Sequence, residues 1–177
     1  MAMTLIALVL LLIGIVAMLR SVDTASTLVG NLAFRRDLTN RAESAFAAAR
    51  TAFVSGALNA EAARSVDQPA SNYSALKLQS PAGIPAVLVS DSAYKALYGD
   101  PATSKDGITL RWVIDRQCLA AGAFSTGSCE FMASSGDAGG TNWLRKPLGA
   151  SRPIYRISVR VSGPHSTEAY FQASYVD

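Results

Sequence analysis

The chain has 177 residues, half of them apolar and only 16% charged, with a formal net charge of +3. Average soluble domains carry about 25% charged residues, and here the deficit is local: no ionisable side chain lies between Met1 and Leu19. This excludes a disordered charged tail, a collagen-like chain and a wholly soluble enzyme, and it points to a small domain behind a membrane-length apolar helix.

The opening stretch, residues 1–19, matches the ~20 apolar residues that a helix needs to cross a bilayer core. It lacks the basic n-region of a secretory signal, and Ala17-Met18-Leu19-Arg20 is a poor cleavage site. The expectation is that a short basic leader has been removed just before Met1. Beyond Arg20 no proline occurs until Pro69, so helix is expected through residue 64. Leu38, Ala42, Ala45, Phe46, Ala49 and Phe53 recur at spacings of three and four, an apolar stripe that something must cover. Asp37 precedes Arg41 by one turn, the favourable order. The domain boundaries read as a long helix over 1–64, of which 1–19 is the membrane part, and a head domain over 65–177.

From Ser65 the signals change to turn chemistry, with Asp67-Gln68-Pro69, Ser80-Pro81-Ala82-Gly83, Tyr98-Gly99-Asp100-Pro101 and Lys105-Asp106-Gly107. Period-two runs then predict strands. Ile108, Leu110, Trp112 and Ile114 alternate with Thr109, Arg111 and Val113. Tyr155, Ile157, Val159 and Val161 alternate with Arg156, Ser158 and Arg160, and Ala169, Phe171, Ala173 and Tyr175 complete an antiparallel hairpin across Ser162–Ser166. An antiparallel sheet with one apolar face needs a cover, and the stripe of the long helix supplies it. The predicted fold class is α+β: one long N-terminal helix packed on a small antiparallel head, a lollipop.

Cys118 and Cys129 have ten residues between them. Two thiols cannot close a zinc site, and His165 is not at a ligand spacing. A catalytic thiol would have only Arg116 as a weak activator. A disulfide is the simplest reading, and it places the head in an oxidising compartment with the N-terminus in the cytoplasm. The arginines after the apolar run argue mildly for the reverse orientation. No nucleophile, phosphate-cradle or metalloprotease motif occurs. Glu130 and Glu168 read as surface residues, and Ser134–Asn142 as a surface loop open to partner contact. Six arginines and four acids over 20–64, with a near-neutral remainder, form no clustered footprint for nucleic acid. No catalytic, cofactor-binding or metal residues are assigned.

The Met3-Thr4-Leu5-Ile6 opening and the long helix resemble type IV pilins. Val29-Gly30-Asn31-Leu32-Ala33-Phe34-Arg35, followed by Arg41-Ala42-Glu43-Ser44-Ala45-Phe46, is similar to the N-terminal signature of minor pilins of the PilX family. Tyr155–Pro164 and the cysteine pair before it resemble the end of that family, while residues 65–105 match nothing in it.

The resemblance implies prepilin-peptidase processing with a methylated amine at Met1, or at Met3 in the other register. It further implies filament-core contacts through Leu5, Ile6, Leu8, Leu12 and Ile15, and helix–head packing through Leu38, Phe46 and Phe53. The function implied is non-enzymatic: priming pilus assembly and sitting in or near the tip complex, in the service of adhesion and twitching motility. The partners implied are other minor pilins, the major pilin, a large tip adhesin, the inner-membrane assembly platform and, before assembly, the membrane itself. Major pilins carry a glutamate at the fifth mature position. Here that position holds Leu5, or Ala7 in the other register, and the first acid is Asp23. This departure is shared with the K-type pseudopilins of type II secretion, an alternative that usually carries a larger head. A single-pass anchored binding domain is the third reading.

Overall fold

The computed structural model describes residues 2–99, 103–105, 107–133, 151–164 and 167–176. The first element is one helix, α1 (Ala2–Val54). The chain divides into two compact units, Met1–Asn40 and Arg41–Asp177, so α1 contributes to both.

In the first unit the described residues are nearly all exposed, and Leu38 is the buried side chain at its end. Polar side chains along it bond back to their own helix. Thr24 Oγ1 donates to the Arg20 carbonyl at 2.9 Å, and Ser26 Oγ to that of Val22 at 2.9 Å. Such back-bonding satisfies a hydroxyl without water.

Helix α1 stops at Val54, ten residues short of the expected end at residue 64. The cause is Gly56. Leu58 N reaches back to the Ala52 carbonyl at 3.0 Å, closing the helix end. A Cβ at Gly56 would lie 2.7 Å from Ala52 Cα, a contact only glycine avoids. A short second helix, α2 (Glu61–Arg64), follows. Arg64 folds back from it, donating through Nε to the Leu58 carbonyl and standing 5.3 Å over the Phe53 ring.

The second unit is built on a mixed sheet of β1 (Tyr73–Ser74), β2 (Thr103–Lys105), β3 (Ile108–Arg116), β4 (Phe131–Met132), β5 (Arg152–Ser162) and β6 (Glu168–Val176). Strands β3, β5 and β6 form its antiparallel centre, in registers Trp112↔Val159 and Val159↔Phe171. The expected hairpin is therefore present. Short β1 adds in parallel to β3, which makes the sheet mixed instead of purely antiparallel.

Burial does not alternate along β3 and β5 as expected, because the sheet is covered on both faces. On one face Phe53 of α1 packs its ring 4.7 Å from Tyr155 and 4.8 Å from Tyr175. On the other, residues that turn signals alone had represented fold into α3 (Ala86–Val89) and α4 (Asp91–Tyr98). Val87, Leu88 and Tyr94 from these helices bury Val113, with Leu78, Tyr98 and Tyr170 at the margin. The polar-looking set Arg111, Val113, Asp115, Ser158 and Arg160 is thus buried. Both helices are too short to display a helical period, and Pro81, Pro85 and Gly99 around them dominate the local signal.

Candidate functional site

Two features could engage partners: the apolar part of α1 and the head surface around the disulfide. Leu5, Ile6, Leu8, Leu12 and Ile15 are all exposed and cover about half of the helix circumference, and the apolar residues between them complete it. A helix apolar on every side is stable only when something apolar surrounds it. Mean hydropathy reaches 2.9 over its most apolar window, and the helix is long enough to cross a membrane. Gly14 has open space around it, so another helix could approach closely there. Met1 lies outside the described residues.

Of the three residues expected to join helix and head, Leu38 and Phe53 are buried and Phe46 is half-buried. The alanines Ala42, Ala45 and Ala49 occupy the buried line instead. Small side chains let a helix sit close to its cover, so the larger Phe46 stands at the margin of that line.

Cys118 and Cys129 are bonded to each other, and their main chains pair as an isolated antiparallel bridge. Hydrogen bonds on either side extend the pairing: Leu119 N to the Ser128 carbonyl at 2.8 Å and Glu130 N to that of Gln117 at 2.8 Å. The loop between them is docked from beneath. Gly122 N donates to the Ser65 carbonyl at 2.8 Å, and fully buried Arg116 donates to the Gly122 carbonyl at 2.9 Å and to Glu61 at 3.2 Å. Leu119 in this loop is 82% exposed, Phe131 and Met132 of β4 are exposed, and Lys77 and Glu130 form an ion pair.

The sheet's charged residues hold the head together. Asp115 accepts from Arg156 Nε at 2.9 Å and Nη2 at 2.7 Å, from Gln117 Nε2 at 2.8 Å and from Leu78 N at 3.0 Å. Arg111 and Arg160 stand directly opposite on β3 and β5 and share Asp91 Oδ1, at 2.9 Å and 2.6 Å. Arg160 also binds Glu168, whose other oxygen accepts from Tyr170 at 2.8 Å. These bonds, from Tyr170 first and Arg160 second, hold the Glu168 carboxyl below the usual glutamate range. Burial pushes the Tyr73 and Tyr98 hydroxyls well above the usual tyrosine range.

Glu130 and Glu168, weighed in the sequence as a carboxylate pair, engage separate cations and are not brought together. Among the described residues no group of three or more His, Cys, Asp or Glu could hold a metal ion. His165 and the loop 134–142 lie outside the described residues. The sequence reading missed Asp115, Arg116, Arg156 and Arg160 as organisers, because a charge at every second strand position is also what a solvated face looks like.

No protein-family model, curated protein or solved structure matches the chain. The functional reading therefore rests on the residues and their arrangement.

Proposed function

We propose that this chain is a minor pilin, resembling the PilX family, that primes type IV pilus assembly and occupies the tip complex without catalysing a reaction. The observation that carries the reading is the two-part character of α1. Its first part is apolar all round and exposed, while one face of its last turns is buried in a head domain. A simple membrane anchor has no need of a helix that continues unbroken from a bilayer-length segment into the head. An assembling subunit does, because one apolar surface must serve both in lipid and among the helices of neighbouring subunits. Exchange of lipid for protein brings little hydrophobic gain, so packing and head-domain complementarity select the neighbours.

The disulfide supports a head on the oxidising side of the inner membrane before assembly and outside the cell afterwards. The partners in this reading are other minor pilins, the major pilin, a large tip adhesin and the assembly platform.

Tip placement follows from charge. The apolar run holds no carboxylate before Asp23, so it offers nothing to neutralise a neighbour's amine buried in the filament core. The test is immunogold labelling of purified pili with an antibody to the head. Label confined to filament ends is the expected result, and label spread evenly along the shafts overturns the tip assignment.

A further inference from the structure

The sheet treats its two outer edges differently. On one side the edge is made of β1 and β2, two and three residues long. Short edge strands are a standard protection against pairing with another chain. On the other side lies β6, nine residues of Glu-Ala-Tyr-Phe-Gln-Ala-Ser-Tyr-Val, paired on one side with β5 along its whole length. Among the described residues no strand pairs with its outer side. It contains no lysine, arginine, proline or glycine, and its one charge, Glu168, is engaged by Arg160. Its centre, Gln172, Ala173 and Ser174, is exposed. Among the described residues none of the usual devices that blunt an edge is present.

We propose that β6 pairs with β6 of a second copy of this chain, antiparallel and centred on Gln172. The inference goes beyond the pilin reading and does not depend on it. A two-fold axis normal to the sheet keeps like faces together, which limits the registers to those centred on a residue. Only the register centred on Gln172 pairs all nine residues of each strand. It also sets large against small: Phe171 opposite Ala173 of the second copy, and Tyr170 opposite Ser174, so that half-buried aromatic rings gain cover without collision. No like charges meet, because the two Glu168 residues fall at opposite ends. A strand edge is a small contact beside the about 800 Å2 a side of a standard interface, so the pair is concentration-dependent.

The test uses the full chain in detergent. The two native cysteines are bonded to each other, so an added thiol has no competitor within the chain. Gln172→Cys places one thiol on each side of the axis, and mild oxidation should give a linked dimer, whereas Ser174→Cys, facing Tyr170, should not. Sedimentation of the unmodified chain covers the case in which losing the Gln172–Gly83 hydrogen bond unfolds the variant. It should show a concentration-dependent dimer that Ala173→Lys abolishes while leaving the melting temperature unchanged. A strictly monomeric chain, or equal cross-linking at 172 and 174, overturns the proposal.

Discussion

Asp115 is fully buried on β3, yet it accepts from two of the three Arg156 guanidinium nitrogens, the Gln117 amide and the Leu78 backbone. It thereby ties the segment before α3 to the central strands. Removing it would strand a guanidinium and a backbone N–H inside the head, and breaking such a pair costs about 3–5 kcal/mol. Asp115→Ala is expected to lower unfolding free energy by that order, read by urea denaturation. Asp115→Asn should lose less, because it keeps one acceptor. Backbone positions make a second residue-scale case. At Gly56 any Cβ would meet the Ala52 backbone at 2.7 Å, so Gly56→Ala should destabilise by about 1–3 kcal/mol, as overpacking does. Ala82, by contrast, holds a left-handed φ of 56°, a conformation that costs a non-glycine residue about 1 kcal/mol. Ala82→Gly should therefore be neutral or slightly stabilising. Neither backbone constraint could be read from the sequence: glycine and alanine are ordinary at a helix end and in a Pro-Ala-Gly turn, and only the fold decides which one is strained.

Among the elements, those with a long period were legible and those without one were not. The β5–β6 hairpin follows from unbroken alternation over Tyr155–Val161 and Ala169–Tyr175, and α1 follows from the apolar run and the 38–53 stripe. Helices α3 and α4 escaped because twelve residues interrupted by Ser90 show too few turns to reveal a face. Without them the Arg111–Arg160 side of the sheet looked solvated. That side is instead latched by Asp91 at the start of α4 and by Glu168 on β6. Because hydrogen bonds depress the Glu168 pKa in the folded protein, the unfolded chain binds the proton more readily there, and stability rises with pH. The contribution is complete above the ordinary glutamate range and disappears as pH falls through the lowered folded value. Between about pH 6 and about pH 3 the denaturation midpoint of the native chain should fall more steeply than that of Glu168→Gln. The disulfide was legible because two thiols without a ligand-spaced histidine or a strong activating neighbour leave few other roles, and by loop entropy it contributes about 3 kcal/mol. Cys118→Ser should lower head stability by about 2–4 kcal/mol in the same assay, and a variant as stable as the native chain would show that the hydrogen bonds flanking the bridge suffice without it.

At the scale of the whole molecule, the pilin reading we propose turns on a missing carboxylate, which in that reading would set where the chain can stand in a filament. In the pilin reading each subunit brings a positively charged amine into an apolar core, and an unpaired charge there costs several kcal/mol. This chain could offer its own amine to a neighbour's glutamate. Having no acid before Asp23, it could not receive an amine arriving from above. Inserted in the shaft it would leave one charge unpaired, whereas at the summit it leaves none. A subunit confined to the summit acts once per filament, at initiation. Deleting it should therefore reduce the number of pili per cell severely, while the surviving pili keep normal length and diameter, as counted by electron microscopy. A shaft subunit gives the opposite pattern, with normal numbers of filaments that are thinner, shorter or more fragile. Leu5→Glu, which supplies a carboxylate where the chain has none, should restore piliation in the deletion strain as well as the native chain does, because nothing above the summit requires its absence. Failure of that variant to assemble, with the protein stably present in the membrane, would mean that the apolar character of position 5 is itself required and that the charge argument for the tip is wrong.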